Sequence, residues 1–285
     1  MFIAHIKKFL PKYENINKAD FINILNWANI TWFDIYKLEK DFLLTLILIK
    51  FWKKYKDLVF KWWTCLNKIY FPYFRLSEDL DFVADFKWWE RARKTLLKNY
   101  ENSFINDLWN LWLTIKEWRT RFDSYRLAMF VFKYKSIIDN SIQTVKIDLS
   151  IKGSLQLKPV IWEIKSIYID KVYEENIFWK HTINCIDLNE STAEKIRASL
   201  TRKTPAIRDF FDIWYIKNNS NFDFNNDIFK KIVDIKLKEV NYEYSLDWNY
   251  VLLEKQIKSD LLPVLDKNHK FNFDEIYNFI LEFKK

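Results

Sequence analysis

Apolar positions recur along this chain with two periods, and the alternation between them outlines the fold. Residues 17–28 and the run Leu38–Trp52 carry apolar residues at helical spacing, and a lysine-rich turn closes the second, longer stretch. Asp57–Phe60 has the length and flanks of a buried strand, helix resumes near Thr64, and Leu80–Ala84 alternates as a strand with Asp79 and Asp81 on it. After a helical stretch over 90–105, strand patterns follow around 110–117, 125–135, 143–152 and 160–169. From Asn189 the period is helical again, over 189–202, 206–217, 226–238, 248–261 and 273–284, with Pro205 and Pro263 as breaks. The pattern predicts an α/β (α+β) fold: a mixed sheet with flanking helices over 1–187 and a helical C-terminal region over 188–285. No internal repeat or low-complexity tract is apparent.

The first candidate chemistry lies on the second expected strand. Residues two apart on a strand project from one face about 7 Å apart along the chain, so Asp79 and Asp81 point the same way. Paired carboxylates suit Mg²⁺, a hard ion shared between protein oxygens and substrate phosphates. Asp148, in the alternating segment Thr144–Ser150, is a third candidate ligand from a neighbouring strand. An Asp-x-Asp pair alone is common at solvated strand ends. The upstream segment Phe60-Lys61-Trp62-Trp63-Thr64-Cys65-Leu66-Asn67-Lys68 adds what the pair lacks, a strand-to-helix turn. Such a turn holds phosphates with backbone N–H groups at a helix N-terminus, provided the backbone comes close enough. Thr64 or Ser77 would add hydroxyls, and Lys68 and Arg75 positive charge.

Composition changes the reading of that turn. The 285 residues hold one glycine and 14 tryptophans, where average usage gives roughly 20 glycines. The doublets Trp62-Trp63 and Trp88-Trp89 fall beside polar residues at expected turns, where a left-handed φ or close backbone approach wants glycine. One cause covers these positions: UGA codons that mean glycine, translated as tryptophan. The rival reading, a protein naturally rich in tryptophan, needs a separate reason at each position.

The remaining composition narrows the class. Cys65 and Cys185 form no disulfide framework, and His5, His181 and His269 have no zinc spacing, so any metal is expected to be held by oxygen. The net charge of +8 fits a polyanionic partner, although lysines scattered over solvated faces explain it equally well. The chain has no 18-residue uncharged apolar run and no signal-peptide pattern at its start, which predicts a cytoplasmic protein and no membrane partner.

Four blocks in order resemble the AbiEii/AbiGii toxin family of nucleotidyltransferases. They are Leu38-Glu39-Lys40-Asp41-Phe42, the Lys61–Lys68 turn, Arg75-Leu76-Ser77-Glu78-Asp79-Leu80-Asp81-Phe82, and the late pair Ala193-Glu194-Lys195-Ile196-Arg197-Ala198 with Arg208-Asp209-Phe210-Phe211-Asp212. The turn departs from the family's pattern by two tryptophans in place of two glycines. The resemblance implies transfer of a nucleotide from an NTP to an acceptor, with tRNA the acceptor of toxin members. It also implies a type IV toxin–antitoxin or abortive-infection role in phage defence and a separate winged-helix antitoxin. By position it implies catalytic roles for Ser77, Asp79, Asp81, Lys195 and Asp209. Nucleotide binding falls to Trp62, Trp63, Thr64, Lys68 and Arg75, and metal binding to Asp79, Asp81 and Asp148. It further implies that 1–187 is the catalytic core and that 188–285 completes its cleft. Read without the family, Glu194, Lys195 and Arg197 within one turn, and Arg208 and Asp212 four apart, fit surface pairs of neighbouring helical positions, and for Glu194, Arg197 and Arg202 that reading is as ready as a functional one. Two alternatives stay open: a catalytically dead member that binds RNA or protein, and a nucleotidyltransferase that is not a toxin.

Overall fold

The computed structural model describes residues 17–27, 33–71, 73–84, 89–122, 125–151, 155–170, 175–178, 181–240, 246–265 and 270–284. His5, His269 and Trp88, and the expected ends of the first helix at Ala28 and of the 143–152 strand at Lys152, lie outside these. The chain divides into two compact units, residues 1–154 with 159–185, and residues 155–158 with 186–285.

The first unit opens with α1 (Lys18–Trp27) and α2 (Ile35–Lys54). Asp34 starts α2 by accepting hydrogen bonds from the backbone N–H groups of Tyr36 and Lys37, both at 3.1 Å. Lys53 and Lys54 lie in its last turn, where the helix dipole favours positive charge. Between them nearly every residue from Leu38 to Phe51 is buried, Glu39, Asp41 and Thr45 included.

The strands are β1 (Leu58–Lys61), β2 (Asp79–Ala84), β3 (Thr114–Phe122), β4 (Leu127–Lys135), β5 (Ile142–Ser150), β6 (Val160–Glu163), β7 (Ile169–Asp170), β8 (Glu175–Asn176) and β9 (Thr182–Cys185). One helical turn, α3 (Trp62–Cys65), follows β1 and runs into a π-helical turn, Leu66–Tyr70; α4 (Glu90–Trp109) follows β2. Among the described residues the main sheet has seven strands in the order β3-β4-β5-β2-β1-β9-β6, with β7 and β8 paired separately. β2 runs antiparallel to β1 and parallel to β5, and β9 runs parallel to β1. Strand alternation sorts the central sheet into two faces. On one, Phe60, Leu80, Phe82, Phe130, Phe132, Val145, Ile147 and Leu149 are each at most 1% exposed. Phe51 and Phe104, stacked at 4.7 Å, pack there, with Phe51 at 5.7 Å from Phe82 and Phe104 at 5.4 Å from Phe130.

Two expectations shift in the middle of the chain, and one strand is new. The strand expected from 110 starts at Thr114, because 110–113 closes α4, with the N–H of Leu113 bonded to the Leu108 carbonyl at 3.2 Å. The single strand expected over 160–169 is two, β6 in the main sheet and β7 in the small one. β9, which the pattern did not announce, is the strand that joins β1 to β6.

The second unit is helical: α5 (Leu188–Thr201), α6 (Ile207–Asn219), α7 (Asp227–Lys238), α8 (Leu246–Gln256) and α9 (Phe273–Leu281). Asp187, Asn226 and Asn272 cap α5, α7 and α9 with side-chain oxygens. Pro205 falls in the α5–α6 connection, and Pro263 in a 3₁₀ turn after α8 has loosened into π-helix over Ile257–Leu261. Buried Glu190 accepts hydrogen bonds from the backbone N–H groups of Gln156 and Leu157 and pairs with Lys236 at 2.6 Å, which ties residues 155–158 to this unit.

Candidate active site

The polar face of the central sheet collects charge. In the β2–β5 pairing Asp79 is the partner of Lys146 and Asp81 of Asp148, while in β1–β2 Lys61 is the partner of Asp81. Strand partners share a face, so Asp79, Asp81 and Asp148 project from the same side of adjacent strands, with Lys61 and Lys146 among them. Lys146 Nζ lies 2.6 Å from Asp148 Oδ2.

These charges perturb one another. Burial, then Asp148 and Asp79, push the Asp81 carboxyl up to about 7, against the pull of Lys61 and Lys146. Burial also raises Asp79, with Asp148 and Glu78 adding to it and Lys146 and Lys40 opposing. Burial works against the Lys146 ammonium, yet its contact with Asp148 and the field of Asp79 and Asp81 hold it above its usual range. The donor set is oxygen only, which fits a hard divalent cation. Among the described residues, however, no three carboxylate, histidine or cysteine groups stand close enough together to hold a metal. Lys146 supplies positive charge to the cluster instead.

The turn before β2 is bound to it directly. Thr64 Oγ1 lies 2.6 Å from Ser77 Oγ, and the Thr64 hydroxyl also donates to the backbone carbonyl of Asp79. The structure therefore brings Thr64, Ser77 and Asp79 together. Trp62, the first residue after β1, has φ 63°, and its ring lies 6.2 Å from that of Trp63. Both indoles are half-buried, with Lys61 Nζ over the Trp62 ring and the Arg75 guanidinium over the Trp63 ring at 4.7 Å.

Arg75 and Lys68 are not presented as phosphate ligands. Arg75 is 1% exposed and donates to the Leu76 carbonyl at 3.0 Å. Lys68 is fully buried, with Nζ 2.9 Å from Asp41 Oδ1 and donating to Thr45 Oγ1 and Tyr73 Oη, both at 2.7 Å. Asp41 also accepts from Tyr168 Oη at 3.1 Å. Burial pulls the Lys68 ammonium below its usual range while Asp41 opposes the shift. Reaching a phosphate would require this lysine to abandon a buried carboxylate, at a cost of several kcal/mol. Cys65 is fully buried and in no disulfide.

In the second unit Lys195 and Asp209 meet. Lys195 Nζ lies 3.2 Å from Asp209 Oδ1 and 3.2 Å from Asp212 Oδ2, and Arg202 reaches Asp209 Oδ2 at 3.0 Å. Lys195, Asp209 and Asp212 are at most 1% exposed. Asp212 is thus buried and not a surface residue, and Arg208 Nε donates to the Asp260 carbonyl at 3.0 Å. Sequence reasoning gave no role to Lys61 and Lys146, or to Asp41 as the partner of Lys68. The i, i+2 spacing of Lys146 and Asp148 was the available signal for the first of these pairings.

The profile of one protein family, nucleotidyl transferase AbiEii toxin of type IV TA systems, matches residues 53–277. Among solved structures, MenT4, a nucleotidyltransferase toxin from Mycobacterium tuberculosis H37Rv, has a TM-score of 0.57 at 14% identity, covering 93% of this chain and 99% of that one. JHP933 from Helicobacter pylori has a TM-score of 0.51 at 15% identity, covering 88% of this chain and 91% of that one. At these identities the likeness is one of fold. No curated protein matches the chain. No described helix is long and apolar enough to cross a membrane.

Proposed function

The chain belongs to the AbiEii family of nucleotidyltransferase toxins of type IV toxin–antitoxin systems, and on that premise we propose that it transfers a nucleotide from an NTP to tRNA with the help of Mg²⁺. In this reading it acts in the cytoplasm as part of phage defence, and a winged-helix antitoxin opposes it. The observation that supports the chemistry best is the strand register that sets Asp81 beside Asp148, with Asp79 on the same face. Asp79, Asp81 and Asp148 share a face without standing close enough to hold a metal as they are, so to hold Mg²⁺, which when bound supplies the positive charge that triphosphate and leaving pyrophosphate require, they would have to draw together and release Lys146 from Asp148. Thr64 and Ser77 hold the turn against β2, the Thr64 hydroxyl donating to the Asp79 carbonyl and the Ser77 hydroxyl to Thr64 Oγ1. Lys146 balances the carboxylates while no substrate is present. The family pattern alone assigns Lys195 and Asp209 to the reaction, while their burial in an ion-pair network argues, as at Lys68, for a structural role.

Labelled-NTP incorporation into total tRNA tests this reading. Incorporation by the wild type that Asp79→Ala abolishes, with folding retained, is the expected result. Equal labelling by both would remove Asp79 from catalysis. A second reading, a catalytically dead member that binds RNA or protein, draws on the two indoles at the turn. It predicts tRNA binding without incorporation by the chain as written and by its Trp62→Gly/Trp63→Gly variant alike.

A further inference from the structure

Four described residues other than glycine have a left-handed backbone: Trp62 (φ 63°), Trp112 (φ 59°), Tyr125 (φ 62°) and Asn140 (φ 63°). Asparagine enters this region with little penalty, whereas a bulky side chain crowds its own carbonyl there. Tyr125, in the β3–β4 connection, shows that a positive φ alone does not identify a glycine position. Trp62 and Trp112 each have a second mark.

Trp112 sits at the end of α4 in a Schellman motif. The N–H of Leu113 bonds to the carbonyl of Leu108 at 3.2 Å, the six-to-one bond, and Trp112 N–H bonds to the Trp109 carbonyl at 2.9 Å. The left-handed residue of this motif is usually glycine. Its indole gains little from packing, being 51% exposed. At Trp62 the chain must turn sharply. Lys61 is held in β1 opposite Asp81, and Thr64 is bonded back to Ser77 and to the carbonyl of Asp79. The reversal falls on residue 62, where an unbranched backbone is the natural solution.

Trp214 is the contrast. It lies inside α6, is 9% exposed, and its ring stacks on Phe211 at 5.7 Å and meets Phe271 edge-on at 5.7 Å. Glycine there would leave a cavity and weaken the helix. One glycine among 285 residues, beside 14 tryptophans, requires a common cause that backbone geometry can sort position by position.

We propose that positions 62 and 112 are glycine in the protein the organism makes, encoded by UGA codons written here as tryptophan, and that position 214 is a true tryptophan. The assignment uses composition, backbone geometry and packing, so it stands or falls apart from the proposed reaction.

The coding DNA and a pair of variants test it. UGA at 62 and 112 with UGG at 214 is the expected result, and peptide mass spectrometry of the native protein should read glycine at the first two positions. UGG at 62 and 112 overturns the proposal. In the chain as written, Trp112→Gly should raise the thermal midpoint by roughly 2–4 °C, whereas Trp214→Gly should lower it. A fall at 112 matching that at 214 would show that the left-handed site was not built for glycine, and would overturn the assignment there.

Discussion

Asp81 and Asp148 are direct partners across the parallel pairing of β2 and β5, so two carboxylates stand side by side on one face of the sheet with Asp79 two residues upstream. Burial, and then the like charges of Asp148 and Asp79, hold the Asp81 carboxyl up at about 7. Its unfolded value is near 3.9.

That difference sets a pH dependence. Between about pH 4 and pH 7 the folded protein retains a proton on Asp81 that the unfolded chain has released, so stability falls as pH rises through this window. Asp81→Asn should flatten the fall and raise the thermal midpoint above pH 7 in the absence of divalent cations. Thermal melts of both proteins from pH 4 to 8 check it. Parallel curves would mean that Asp81 titrates as an ordinary carboxyl.

Lys146 places an ammonium 2.6 Å from Asp148 and partly offsets the repulsion among the three carboxylates. Lys146→Met should lower the midpoint of the metal-free protein by an amount worth about 1 kcal/mol, since the pair is about one-third exposed. It should also enlarge the stabilisation that Mg²⁺ produces, because the cation then meets uncompensated carboxylates. Melts with and without Mg²⁺ measure both effects. An unchanged Mg²⁺ response would separate Lys146 from the metal site.

Lys195 is buried between Asp209 and Asp212, so Lys195→Met leaves two buried carboxylates with less compensation. A loss of about 3–5 kcal/mol of stability is expected. Chemical denaturation would reveal it, and any activity loss in that variant has to be read beside it. Lys195→Arg should restore part of the stability. If Lys195→Met unfolds at the same denaturant concentration as wild type, the ion pairs contribute nothing net to the fold.

At the β1–α3 turn the indoles of Trp62 and Trp63 are half-buried beside the backbone that the proposed reaction uses for phosphate. Replacing both by glycine should tighten NTP affinity in the presence of Mg²⁺ by at least tenfold, about 1.4 kcal/mol. Isothermal titration calorimetry compares the two proteins directly. Equal affinities would show that this turn is not the phosphate site.

Local periodicity was enough to place Asp79 and Asp81 on one strand face and Leu80 and Phe82 on the other, because a two-residue repeat needs no partner. It also located α2, β4, β5 and the late helices to within a few residues, and the four ordered blocks identified the family. The strand neighbours are a different matter. Asp148 lies beside Asp81 because β5 pairs with β2 in parallel at one particular register, and a slip of one residue would have put it on the apolar face. β9 is four residues, Thr182–Cys185, with no strong pattern of its own, and it exists as a strand through its pairing with β1 and β6. Lys68 read as a phosphate ligand by position, but packing of its π-helical turn gave it Asp41 of α2 as a buried partner. Sequence alone determined which side chains share a face of one element, since that follows from backbone geometry a few residues long. Which elements become neighbours, and so which charges meet, was decided only when the whole chain buried its apolar faces together.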